Sequence, residues 1–345
     1  MTPRKPGSLF LPLLVAAVLG LAPAARGQVL TNYPTTGSDT GEENHFGAAT
    51  QGLRLDLLSR GLRWRFGAIE ALGRGGAPHP AAGITPVAEG GAGPLGDGWT
   101  LWHTSSFTWQ KDRRAPVANR GEAASFTIGL DRELAAGLTG GISANYIHTS
   151  LDTFFNAGKS RTDGFSIGPY ASLAFSDWLS LDASAAYVHN REKMRRALPG
   201  AATGRRHSDG YVLSAALSAS KWFGGVLLSG KAGVIASRDA WDAYTESDGT
   251  PHAAETNRLV QGQAELSASW WLDPFLPHAG VMYAYDLSSN DPNRIDRDDF
   301  TFSGGLAWYG SGRWEGLSAD LAAEVVVGRQ RQRNATISLG LRWNF

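Results

Sequence analysis

The sequence predicts an all-β fold, a twelve-stranded antiparallel up-and-down transmembrane β-barrel preceded by a lumenal helix or plug segment. Three observations predict it. Residues 335–345 alternate apolar and polar side chains without error, twelve such segments follow one another from Trp99 onward, and the connections between them alternate in length. Successive side chains of a strand point to opposite faces, so this alternation places one face in an apolar medium and the other in water.

The amino terminus predicts export. Arg4 and Lys5 precede an apolar run from Leu9 to Leu21, and the small residues before Gln28 fit a cleavage site, so residues 1–27 are interpreted as a Sec signal peptide. The apolar run is too short to span a bilayer as a helix. The chain has no cysteine, so an exported fold cannot rely on disulfides and needs a large hydrogen-bonded structure instead.

Three segments separate the signal peptide from the predicted barrel. Residues 28–45 are short and polar, and residues 75–98 repeat Gly and Pro as a linker does. Residues 46–74 mix apolar and basic side chains and allow two interpretations. They form a helix that plugs the barrel, or they form two further strands at 53–57 and 62–66, which would make fourteen. The basic residues of this segment are Arg54, Arg60, Arg63 and Arg65.

The barrel itself is predicted over residues 99–345. The twelve expected strands are 99–110, 122–132, 137–149, 164–176, 179–190, 209–221, 225–237, 257–271, 278–288, 298–309, 317–328 and 334–345. Most have two clear faces. The first is the least regular, because Trp102 and His103 compete for the apolar face.

Loop lengths and aromatic residues orient the barrel. Short turns follow the even-numbered strands and longer polar loops, such as 191–208 and 238–256, follow most odd-numbered ones. Outer-membrane barrels have an even strand number, short periplasmic turns and longer external loops. Aromatic residues that would form an interfacial girdle lie near the short turns, namely Trp178, Trp222, Phe223, Trp270, Trp308, Trp314 and Trp343.

The strand assignments also predict which charges face the lumen. Acidic residues outnumber basic ones there, so a basic segment such as 46–74 would be electrostatically matched to the interior. We expect these inward charges to be structural and pore-lining. They are Asp131, Asp182, Glu265, Asp286, Asp320, Glu324, Lys231 and Arg342.

Several short strings occur in order along the predicted barrel: GLDREL at 129–134, GGISANY at 140–146, GPYAS at 168–172, the stretch 181–195, YTES at 244–247 and WNF at 343–345. Together they resemble an autotransporter β-domain, over roughly residues 99–345. The resemblance implies a lumenal helix before the first strand and a Gram-negative outer-membrane location. It also implies insertion by the barrel assembly machinery, which recognises a terminal aromatic strand, here Leu341, Trp343 and Phe345. The implied task is protein transport by type V secretion.

The expected function is therefore that of a translocator and anchor with little or no passenger, residues 28–45 being a vestigial one. A small porin-like channel or structural barrel is the alternative, and an outer-membrane lipid hydrolase is a more distant one. Self-cleavage at Asn44, the asparagine closest to the plug segment, is a further hypothesis. Outer-membrane lipid is an expected partner, and we expect a monomeric barrel. The formal net charge of zero gives no reason to expect a nucleic acid.

No enzymatic activity, cofactor or metal is expected. Residues 164–168 match G-x-S-x-G, but a nucleophile elbow needs a strand-to-helix turn and this string lies inside a predicted strand. His103 and Ser105 share a face of the first strand and are the candidate pair for lipid hydrolysis. Their nearest candidate orienting residue, Asn119, falls in a predicted loop.

Overall fold

A computed structural model of the chain describes residues 98–113, 118–154, 156–198, 200–290, 297–328 and 332–344. The signal peptide 1–27, the polar segment 28–45, the plug 46–74 and the linker up to residue 97 lie outside the described residues. Among those described, no helix is long and apolar enough to cross a membrane.

The described residues form fourteen strands, twelve of which close into one antiparallel barrel. The barrel strands are β1 (Trp99–Asp112), β2 (Asn119–Ala135), β3 (Leu138–Thr153), β4 (Gly158–Ser176), β5 (Leu179–Arg196), β6 (Ala202–Phe223), β7 (Val226–Trp241), β10 (Glu255–Trp270), β11 (Phe275–Ser289), β12 (Asp298–Tyr309), β13 (Leu317–Val327) and β14 (Gln332–Asn344). The short strands β8 (Tyr244–Thr245) and β9 (Pro251–His252) pair with each other in the connection between β7 and β10.

The barrel closes where β1 pairs with β14, and this seam leaves no free edge in the sheet. Thr108 lies opposite Thr336 across the seam, and their hydroxyl oxygens are 2.7 Å apart. The twelve-stranded prediction is confirmed. Because the barrel is closed by these twelve strands, it needs no further pair from residues 46–74.

The two faces of the wall have opposite chemistry. Inward side chains are mostly small and polar, as in β1, where Thr100, Thr104, Ser106 and Thr108 are all buried. Outward side chains are apolar and exposed, as are Phe126 and Ile128 on β2. The ambiguity in the first strand is resolved, since Trp102 points inward and is 1% exposed. A closed sheet with this pattern satisfies its backbone internally and presents mainly apolar side chains to lipid.

Several predicted boundaries were wrong at the long-loop end. The predicted loop 191–208 is mostly strand, because β5 continues to Arg196 and β6 begins at Ala202. Beyond the bilayer both faces of a strand meet water, so the apolar alternation disappears although the hydrogen-bonded ladder continues. The periodicity therefore marks where lipid ends, and it underestimates the length of the strands.

The short-turn end carries the aromatic girdle with one correction. Phe223, Trp270, Trp314 and Trp343 are exposed around this rim. Trp222 is different, because it lies on the inward face of β6, opposite the buried Leu227 of β7. Tight turns at this rim need a left-handed backbone, which glycine adopts without strain, and Gly137 supplies it between β2 and β3 with φ of 76°.

Candidate functional site: the barrel lumen

Pairing register and strand alternation put all eight predicted charges on the inward face. Glu265 of β10 lies opposite Lys231 of β7, and Lys231 lies opposite the buried Ser218 of β6. The same alternation places the other six inward, on β2, β5, β11, β13 and β14: Asp131, Asp182, Asp286, Asp320, Glu324 and Arg342. Their role as pore-lining charges stays a prediction.

Sequence reasoning missed further inward charges near the long-loop end. Except for Asp299, they lie in segments that the sequence pattern assigns to loops, because both faces of the strands are polar there and the apolar alternation gives no signal. They are Asp112, Glu192, Asp239, Glu255, Asp299, Arg196 and Arg206. Across the described strands, acidic side chains therefore outnumber basic ones on the inward face.

Asp182 is the centre of one hydrogen-bonded cluster on the wall. Ser172 of β4 donates to one of its carboxylate oxygens at 2.7 Å, and Ser218 of β6 donates to the other at 2.7 Å. The Nζ of Lys231 lies 4.0 Å from the second oxygen. A buried carboxylate needs such donors to offset its lost hydration, so this cluster ties four neighbouring strands together around one charge.

Trp102, Tyr170 and Asp131 form a second cluster, across β1 to β4. The indole Nε1 of Trp102 donates to the Tyr170 hydroxyl at 2.6 Å, and that hydroxyl donates to Asp131 at 2.5 Å. The two rings meet edge to face, with centroids 5.9 Å apart. Glycines make the space, because a Cβ on Gly129 would lie 2.3 Å from Trp102, and one on Gly141 would lie 2.7 Å from the Tyr170 ring.

Looser polar pairs line β10 to β14. Gln261 donates to Asp286 at 2.8 Å, and His278 Nδ1 lies 3.6 Å from the carboxylate of Asp320. At the seam, the guanidinium of Arg342 donates to the Asn344 side chain at 3.0 Å. Asp286, Asp320 and Arg342 each have an interaction partner.

The long-loop end of the lumen is built around Arg206. This side chain donates to Glu192 at 2.7 Å, lies 3.7 Å from Glu255, and stacks over Trp241 with its guanidinium carbon 4.3 Å from the ring centroid. Ser160 also donates to Glu192. A charge pair this deeply buried is held by multiple hydrogen bonds rather than by a single contact.

The connection between β7 and β10 packs on the same inward face. Arg196 donates to Glu246 at 2.7 Å and to Asp248 at 2.6 Å. The backbone amide of Thr250 also donates to Asp248, and together with Arg196 it lowers the pKa of that carboxyl. Burial raises the pKa of Tyr244 to about 12. These contacts order residues 242–254 against β5 and β6.

The candidate hydrolase pair is present, but its surroundings do not complete a catalytic site. Ser105 Oγ lies 2.9 Å from His103 Nε2, and His103 Nδ1 lies 3.0 Å from the backbone oxygen of Thr127. Asn119 cannot orient this pair. It is the first residue of β2 and is buried on the opposite, inward face, where it accepts a bond from Gln110. Acyl transfer also needs free donors for an oxyanion, and the backbone of β1 is paired with β2 on one side and β14 on the other.

Two other sequence interpretations can be placed. The G-x-S-x-G string lies within β4, as expected for a strand and not for a nucleophile elbow. Among the described residues, no group of three or more His, Cys, Asp or Glu side chains is arranged to hold a metal ion. Leu341 and Trp343 of the predicted assembly signal point outward and are exposed, whereas Phe345 and the basic residues Arg54, Arg60, Arg63 and Arg65 lie outside the described residues.

Comparisons with known proteins match this architecture. A family profile described as the autotransporter beta-domain matches residues 101–307. The translocator domain of the autotransporter NalP from Neisseria meningitidis superimposes with a TM-score of 0.68 at 14% identity, covering 88% of this chain and 100% of that one. The beta domain of the Bordetella autotransporter BrkA gives 0.63 at 18% identity, with 72% and 100% covered. The transport unit of AIDA-I from Escherichia coli gives 0.54 at 13%, with 75% and 95% covered. No curated protein matches this sequence.

Proposed function

The chain belongs to the autotransporter β-domain family, and on that premise we propose that its acidic lumen seats and passes the basic segment preceding β1. A barrel of this family is an outer-membrane translocator and anchor without enzymatic activity of its own. The observation that carries the proposal is the closed barrel whose inward face is polar and predominantly acidic.

Electrostatics supports the pairing of segment and lumen. The sequence of residues 46–74 carries Arg54, Arg60, Arg63 and Arg65. A cation that enters a confined space loses hydration, and carboxylates that line the space compensate part of this free-energy cost. This charge complementarity favours a segment that remains in the lumen after transport and blocks the passage of ions.

Export and assembly complete the proposal. Residues 1–27 would direct the chain through the Sec pathway, and the barrel assembly machinery would recognise Leu341, Trp343 and Phe345. Outer-membrane lipid would surround a monomeric barrel. Its exposed apolar outward face supports contact with lipid.

The chain contains no cysteine, so single cysteines can report topology without background. Ser38→Cys tests the segment before the barrel, Ala253→Cys marks the exposed long loop, and Asp177→Cys marks the exposed short-turn rim. Intact cells are treated with a membrane-impermeant maleimide. Transport predicts that Ser38→Cys and Ala253→Cys react and that Asp177→Cys reacts only after lysis.

Two results would contradict this proposal. Reaction of Ser38→Cys only after lysis, with Ala253→Cys reactive in intact cells, would mean that the segment stays in the periplasm. Stable open-pore conductance of the intact protein in a planar bilayer, unchanged by deletion of residues 46–74, would mean that the segment does not close the lumen and would favour a channel.

A further inference from the structure

The outward face of β4, β5 and β6 continues well beyond the apolar surface of the barrel and becomes basic. The outermost large aromatic side chains on these strands, Phe165, Tyr187 and Tyr211, are exposed. Past them, on the same outward face, lie Lys159, Arg161, Arg191, Lys193, Arg195, Arg205 and His207, which we call the basic face.

Most cations of the basic face stand directly opposite one another, whereas Arg191 stands opposite Asp163 of β4. Arg161 of β4 pairs with Lys193 of β5, and Lys193 pairs with Arg205 of β6. Lys159 pairs with Arg195 one step further out. Like charges in opposed cross-strand positions are destabilising, so a row of three cations costs folding free energy unless an anion neutralises it.

One cation of the basic face has a carboxylate partner, because Lys159 Nζ lies 3.7 Å from Asp152. The other nearby carboxylates are hydrogen-bonded by other groups. Asp163 accepts a bond from Tyr146 at 2.8 Å and lies 2.8 Å from His148 Nδ1. Asp209 accepts a bond from Tyr187 and lies 2.9 Å from His189 Nδ1. Throughout the described residues, no ion pair forms to the exposed side chains of Arg161, Arg191, Lys193, Arg195 and Arg205.

The basic face is also held in place from behind. On the inward side of the same strands, Arg206 pairs with Glu192 at 2.7 Å and Arg196 pairs with Glu246 at 2.7 Å. Alternation along β5 and β6 fixes which side chains point inward. The outward cations therefore cannot turn to reach these carboxylates, and the strands fix the positions from which they extend into solvent.

The height of the basic face indicates the size of its ligand. Arg191 lies four residues beyond Tyr187 and Arg195 lies eight beyond, or about 13 and 26 Å along the strand. A strand tilt of about 40° reduces these heights to roughly 10 and 20 Å. A glycerophospholipid carries one phosphate close to its acyl chains. Only a headgroup with phosphates at several heights can neutralise the whole face.

We propose that the basic face binds a multiply phosphorylated glycolipid of the external leaflet, with its acyl chains on the apolar wall and its phosphates on cations at several heights, among them the row Arg161, Lys193 and Arg205. The proposal takes the orientation of the barrel from its family. It does not require transport of the segment preceding β1, so a failure of maleimide labelling leaves it standing.

The test uses the full chain, folded in a zwitterionic detergent, and measures lipid binding by native mass spectrometry. The probes are a rough lipopolysaccharide that retains its phosphorylated inner-core heptoses, and phosphatidylglycerol, which has one phosphate. One variant combines Arg161→Gln, Lys193→Gln and Arg205→Gln. The matched control combines Arg132→Gln, Lys221→Gln and Arg313→Gln, which removes the same charge from the exposed short-turn rim. Heat-modifiable gel mobility verifies that each barrel is folded.

A cation near an anionic lipid surface contributes about a fivefold gain in affinity, so the basic-face variant should bind lipopolysaccharide roughly 100-fold more weakly. The control should bind within about threefold of the unaltered chain, and phosphatidylglycerol should bind the unaltered chain at least about tenfold more weakly than lipopolysaccharide does. Equal losses in the two triple variants would show unspecific attraction and overturn the proposal. Undiminished binding by the basic-face variant, or equal binding of the two lipids, would also overturn it.

Discussion

The packing of Trp102 against Gly129 gives a prediction whose magnitude can be worked from the structure. A Cβ at Gly129 would lie 2.3 Å from the Trp102 indole, well inside contact distance. The indole cannot easily retreat, because it is 1% exposed and its Nε1 is bonded to Tyr170 at 2.6 Å. Gly129→Ala should therefore destabilise the barrel by about 1–3 kcal/mol, the usual cost of overpacking.

A double-mutant cycle separates this clash from any general effect of the substitution. Trp102→Ala alone should cost about 3–5 kcal/mol, because it opens a cavity and removes a donor from Tyr170. In that background the clash is gone, and Gly129→Ala should change stability by less than about 0.5 kcal/mol. The expected coupling energy is thus about 1–3 kcal/mol.

Reversible urea unfolding in detergent micelles, followed by intrinsic fluorescence and by heat-modifiable gel mobility, measures each corner of the cycle. Gly304→Ala is a suitable control, because its Cβ would meet only one atom within 4 Å, at 3.8 Å. It should be neutral within about 0.5 kcal/mol. An equal cost of Gly129→Ala with and without Trp102 would refute the packing argument.

Three further predictions concern the outer loop and the carboxyl terminus. Arg206→Met should destabilise the packing of residues 242–254 by about 3–5 kcal/mol, because Glu192 is left buried without its cation. Limited proteolysis should cut this loop faster in Arg206→Met than in the unaltered chain. In the control variant Arg205→Met, which changes the exposed outward face, the rate of cleavage should be unchanged. The pKa of Tyr244, raised to about 12, means that the folded loop holds the phenolic proton more tightly than the unfolded loop does. Its stabilising effect is then fully present below pH 10 and is lost as the pH rises toward 12. Difference absorbance of phenolate between the unaltered chain and Tyr244→Phe measures it, and titration near pH 10 would contradict the expected burial. Deleting Phe345 should impair insertion, measured as the folded fraction in outer membranes, and unaltered insertion would count against an assembly signal at this terminus.

The site was predictable to the extent that it follows from strand alternation. Asp131 and Asp182 could be assigned to the inward face because they alternate with apolar neighbours that must face lipid. Glu192 and Arg206 could not, because both faces of β5 and β6 are polar where these strands leave the bilayer. The apolar alternation is absent there because both faces of the strands meet water, although the backbone remains a β-strand.

Contacts between residues of different strands were even harder to predict from the sequence. Nothing in the sequence indicates that Trp102 reaches Tyr170, which is 68 residues away, because that contact depends on the relative register of β1 through β4. The same holds for the row Arg161, Lys193 and Arg205, which a shift of one residue in either pairing would disperse to opposite faces.

The sequence by itself determined the fold class, the inward and outward faces of the barrel strands and the acidic character of the lumen, while the choice between twelve and fourteen strands was left to the structure. Each follows from a local rule. Side chains two residues apart in a strand share a face, and the lipid or water that this face meets determines whether they are apolar or polar. Only the tertiary structure decided which residues of different strands lie side by side. Register is set by hydrogen bonding and packing around the whole closed sheet, and from it come the Trp102 cluster, the buried Arg206 pair and the opposed cations of the basic face.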